Sequence, residues 1–173
     1  TNRGKISAVK DSAIRELQSV KTRGKISNTN YNRRLKWINA AFEMYNFPWM
    51  TRTRQPYWNA KNSENGAKDF KPGIMYYGMP YISKGYPKQR LYTPTKAISE
   101  NRYYKNGNYY MLNQDNLLDG KYCGNDCSSM IAMCYFGVGT SGIGSWDTRK
   151  FAKSTLFKTL SESAELYPGD IIV

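Results

Sequence analysis

Gly124-Asn125-Asp126-Cys127-Ser128-Ser129-Met130-Ile131-Ala132-Met133-Cys134-Tyr135-Phe136 is the stretch on which the fold turns. Asn125 and Asp126 carry side-chain oxygens suited to accept the orphan N–H groups of a first helical turn. Met130, Ile131 and Cys134 then give the apolar side of a helix running to about Phe136. Cys127 falls in its first turn. The positive end of a helix macrodipole and its unspent N–H groups favour thiolate over thiol, and the same N–H groups can hold the oxyanion of a tetrahedral intermediate. A second reading involves no chemistry: a capped core helix whose cysteine packs as a small hydrophobe. Cys134 is read that way, and Cys123 as an incidental thiol rather than a neighbour of the site.

Downstream, residues 137–144 read as a glycine-rich turn and residues 147–152 as a short helix. Tyr167-Pro168-Gly169-Asp170 reads as a turn entering a buried strand, Ile171-Ile172-Val173. Upstream, residues 82–121 hold one short helix opened by Thr93-Pro94 and otherwise read as a long surface insertion. Residues 73–81, apolar and aromatic but broken by Gly and Pro, suggest a loop or short strand lining a groove. Residues 51–72 are polar and irregular. Leu35, Ile38, Ala41, Phe42 and Tyr45 mark a helix from about Asn30, stopped at Phe47-Pro48-Trp49 because proline cannot continue it. Val9, Ile14, Leu17 and Val20 mark a weaker amphipathic helix over residues 7–21. The pentapeptide Arg-Gly-Lys-Ile-Ser occurs at residues 3–7 and 23–27, too few copies for a solenoid. The expected division is a basic helical leader or linker at 1–28 and one domain from 29 to 173.

Asp126-Cys127-Ser128-Ser129 before an apolar helix, and Tyr167-Pro168-Gly169-Asp170 before a strand, resemble the NlpC-type family of papain-like cell-wall cysteine peptidases. In that family an Asp-Cys-Ser-Gly signature holds the nucleophile. Gly78-Met79-Pro80-Tyr81 resembles its upstream Gly-x-Pro-Tyr element. The resemblance covers residues 30–173 and implies an α+β fold, with N-terminal helices and the Cys helix packed on an antiparallel sheet. It implies a bacterial peptidoglycan endopeptidase, secreted or wall-associated, in which Cys127 forms an acyl-enzyme with a stem-peptide amide, usually a γ-D-glutamyl to diamino-acid bond. Tyr81 and Ser128 would then line the oxyanion or substrate pocket, with Asp126, Gly169 and Asp170 structural beside it. No metal or organic cofactor is implied.

Two departures accompany the resemblance. Ser129 stands where the family has glycine, and the chain contains no histidine. The general base and third polar group, which in the family follow the Pro-Gly-Asp strand, are therefore expected outside this chain, with the sheet incomplete within it. The same cysteine would also serve a wall amidase or acyl transferase. A non-catalytic wall-binding or nucleic-acid-binding module is the alternative from another class.

Length and charge set the remaining bounds. A chain of 173 residues fits one core with a helical extension. No apolar run approaches the roughly 18 residues that span a bilayer. Of the 26 Lys and Arg, residues 1–61 hold 13 against Asp11, Glu16 and Glu43, so the net charge of +13 is concentrated at the N-terminal end. Such a face attracts polyanions through screened Coulomb forces, whether nucleic acid, anionic lipid or an acidic wall polymer; the resemblance implies the wall polymer in preference to nucleic acid. Fifteen Tyr and four Trp add surfaces that stack on sugars or bases. Three cysteines within residues 123–134 do not make a disulfide framework. Without a second Cys pair or any histidine they also make a poor zinc site.

Overall fold

The repeated pentapeptide takes two conformations. Its first copy lies inside α1 (Asn2–Thr22), while its second unwinds the helix: the Gly24 N–H donates to Lys21 O and the Lys25 N–H to Val20 O. That bond pair is a Schellman end, which needs a left-handed residue, and Gly24 supplies it at φ +70°. The structure, a computed structural model, describes residues 2–55, 70–82, 91–114, 123–137 and 147–172. The other helices are α2 (Asn28–Tyr45), α3 (Pro94–Ser99), α4 (Cys127–Phe136) and α5 (Thr148–Lys153). The strands are β1 (Pro48–Met50), β2 (Tyr76–Tyr77), β3 (Tyr103–Asn106) and β4 (Tyr109–Leu112). The fold is thus α+β. No helix among the described residues is long and apolar enough to cross a membrane.

The expected antiparallel sheet is corrected to a mixed one, ordered β2-β1-β4-β3. β1 pairs antiparallel with β2 but parallel with β4, Trp49 standing opposite both Tyr76 and Tyr110. β3 and β4 form a hairpin across Gly107-Asn108, a turn signal inside the stretch read as a surface insertion. Pro48 does end the helical run, as expected, and also starts the central strand.

Chain contacts divide the molecule into two compact units, residues 1–42 with 147–173, and residues 43–146. Leu17 and Val20 of α1 are fully buried, and this helix belongs to the first of the two units. In the same unit, Ile38 of α2 and Phe151 of α5 are buried too. Tyr167-Pro168-Gly169-Asp170 is a tight turn closed by Asp170 N–H to Tyr167 O, with Gly169 at φ +95° as a type II turn requires after proline. The strand expected after it is not there: Ile171 and Ile172 have no partner strand among the described residues and Ile172 is 82% exposed. Val173, and residues 138–144 of the expected glycine turn, lie outside the described residues.

The second unit has its core under the sheet. Phe47, Trp49, Ile82, Tyr92, Ala97, Tyr103, Leu112 and Cys123 form one buried cluster. Its rings meet edge to face, Phe47 on Tyr103 at 5.1 Å and Trp49 on Tyr103 at 5.7 Å. The helix that contributes to this cluster is α3, through Ala97. The buried α4 side chains Ala132, Met133 and Cys134 are not members, which corrects the expectation that the Cys helix covers the sheet.

Candidate functional site

Asp126 caps α4, as the sequence suggests. Its carboxylate accepts from the Ser129 N–H at 2.7 Å, and the Asp126 N–H donates to Ser129 Oγ at 2.8 Å, a reciprocal capping box. Ser129 is fully buried. The serine at this position is therefore half of the cap, which glycine would lack. Ser128, expected at a substrate or oxyanion pocket, turns inward: it is buried and its hydroxyl donates to Asp126 Oδ1 at 3.0 Å. Its hydroxyl is spent on structure, and what it can offer an oxyanion is its backbone N–H.

Cys127 is the first residue of α4 and the one exposed cysteine; Cys123 and Cys134 are buried. In the first turn the Ser129 and Met130 amides are bound by Asp126. Those of Cys127 and Ser128 take no part in that cap. An exposed thiol and the first backbone N–H groups of one helix thus lie together, the elements of a nucleophile with an oxyanion cradle.

The Gly-Met-Pro-Tyr segment meets this helix start. Tyr81 and Asn125 form a parallel bridge, in which the Asn125 N–H donates to Pro80 O at 3.0 Å and the Ile82 N–H to Asn125 O at 2.9 Å. Tyr81 is 43% exposed. The approach is close because residue 124 has no side chain: a Cβ there would lie 1.9 Å from Pro80 O. The structure accordingly brings Tyr81, Asp126, Cys127 and Ser128 together in one unit. Gly169 and Asp170 belong to the other unit, where Arg34 holds their turn. Its guanidinium donates to Pro168 O at 2.9 Å, to Tyr167 O at 3.3 Å and to Asp170 Oδ1 at 2.6 Å. Asp170 also accepts from the Tyr167 N–H at 2.7 Å.

Sequence reasoning missed Arg34 and a buried polar cluster behind the helix start, and it read Asn125 with Asp126 as a cap, whereas the Asn125 side chain bonds the Tyr92 backbone. Tyr92 donates to Glu100 Oε2 at 2.6 Å and accepts from Arg102 Nη2 at 3.1 Å. Arg102 has a side chain only 3% exposed, yet its Nη1 has no hydrogen-bond partner among the described residues. Burial and the bond to Glu100 push the Tyr92 hydroxyl above its ordinary range, with Arg102 pulling it back. Burial likewise raises the Cys123 thiol, which Arg102 opposes, and pushes Cys134 up to about 12. Among the described residues no group of three or more Cys, Asp or Glu is placed to hold a metal ion. No family model, no curated protein and no solved structure matches the chain.

Proposed function

We propose that this α+β chain carries the nucleophile part of a papain-like, NlpC-type cysteine peptidase that cuts stem peptides of bacterial peptidoglycan. One observation carries the reading: an exposed Cys127 opens a capped helix whose start is bonded to the Gly-Met-Pro-Tyr segment. In the reaction, Cys127 Sγ bonds to the carbonyl carbon of the scissile amide. The negative oxygen that develops is held by the Cys127 and Ser128 N–H groups. The C–N bond breaks, the amine leaves with a proton, and water hydrolyses the thioester to an acid and the free thiol. The chain has no histidine, so the proton is relayed by a base that these residues do not supply as an imidazole.

The reading places the protein at the cell wall, where its basic N-terminal end would meet anionic polymers. Release of peptide fragments from purified peptidoglycan, measured with imidazole in the buffer as external base, is expected to vanish in Cys127→Ala. Cys134→Ala should keep most of it. Equal release by wild type and Cys127→Ala removes the peptidase reading.

A further inference from the structure

The helix start is held in place by one side chain that the reaction does not use. Asn125 is buried, and its amide imitates a strand partner for Tyr92: the Tyr92 N–H donates to Asn125 Oδ1 at 3.2 Å and Asn125 Nδ2 donates to Tyr92 O at 2.5 Å. The second Nδ2 hydrogen points to Met44 Sδ at 3.7 Å. Through its backbone the same residue bonds Pro80 and Ile82, on either side of Tyr81. Its successor is the N-cap of α4 and the next residue is Cys127. Tyr92 does not yield, since Glu100 and Arg102 fix its hydroxyl and Lys96 Nζ sits 4.3 Å from its ring centre. Asn125 therefore joins a rigid anchor on one side to the tyrosine segment and the cysteine helix on the other.

We propose that Asn125 is a positioning residue, whose side-chain amide sets Tyr81 and Cys127 in the register a peptide substrate needs. This rests on the peptidase reading above. Losing the clamp leaves the buried Tyr92 N–H and C=O without partners, and the Pro80 to Ile82 segment and the start of α4 are then free to shift relative to one another. A small reagent tests only the exposure of the thiol, whereas a peptide reagent has to be aligned before it reacts, and misplacement by about 1 Å can cost roughly 100-fold.

The test compares two alkylations of Cys127 in the full chain. A γ-D-glutamyl chloromethyl ketone forms an Sγ–C bond with loss of chloride and a proton; iodoacetamide forms one with loss of iodide and a proton. Asn125→Leu and Asn125→Asp are each expected to slow the chloromethyl ketone about tenfold or more while iodoacetamide changes less than about twofold. Gly107→Ala, which strains the β3–β4 turn of the same unit at φ +61°, should lower the melting temperature and leave the ratio of the two rates alone. If Asn125→Leu fails to fold, Asn125→Asp, isosteric with the native amide, decides by the same ratio. A wild-type ratio in a folded Asn125 variant overturns the positioning role and leaves the peptidase reading intact. A wild-type protein whose ratio equals that of urea-unfolded chain overturns the peptidase reading and the positioning role with it.

Discussion

At the scale of single residues, the three thiols are sorted by burial. Cys127 is exposed while Cys123 and Cys134 are enclosed, so a thiol reagent on native protein is expected to modify Cys127 alone, and all three only after denaturation. Peptide mapping that found Cys123 modified first would count against the arrangement. Enclosure also gives Cys134 a pH signature. Its thiol ionises near 9.0 when unfolded and is pushed up to about 12 by burial, so the folded state favours the neutral form. That contribution is fully present below the unfolded value and fades as pH climbs from 9.0 to about 12. Urea midpoints should fall across this window less in Cys134→Ala than in wild type. Parallel profiles would mean that Cys134 is not desolvated in the native state.

At the scale of elements, α4 was legible and its surroundings were not. Asp126 and Asp147 cap α4 and α5, and Thr93 caps α3. All three could be read from sequence because capping is settled within three or four residues. Gly124 shows the opposite case, since nothing local says that Pro80 will lie against it. Its missing side chain is what lets the two segments bond, and Gly124→Ala should cost about 3 kcal/mol or more in urea unfolding because the obstacle is backbone. A loss below about 1 kcal/mol would mean that the Pro80 carbonyl does not approach residue 124. Ser129 stands where the resembled family has glycine, and only the folded helix start shows that its hydroxyl completes the capping box. Arg34 escaped notice for a related reason: a cation on α2 shows its purpose only once residues 167–170 arrive beside it.

At the scale of the whole molecule, the α+β class is what the resemblance implied, but the parallel pair in the sheet was not legible, because no periodicity records which distant strand a segment will join. The division into two units sets a further expectation. Arg34 and Asp170 have side chains 16% and 15% exposed, so Arg34→Met should cost about 2 kcal/mol by taking the cation from the Asp170 carboxylate and the donor from Pro168 O. Amide exchange should then speed up in residues 2–42 and 147–172, while the amides of residues 103–112 keep their protection. Equal acceleration in both sets would mean that the units open together. Finally, the parallel pairing of β1 with β4 bears on how the protein reaches its native state. The β3 to β4 hairpin closes across two residues, but Trp49 has to find Tyr110 across the whole intervening chain, and such closure is entropically costly before any contact rewards it. The hairpin is therefore an early event and the arrival of β1 the slow one. Trimming Tyr104 or Asn106 should therefore chiefly retard refolding, since the hairpin already stands at the barrier, whereas weakening Trp49 contacts should hasten unfolding as well.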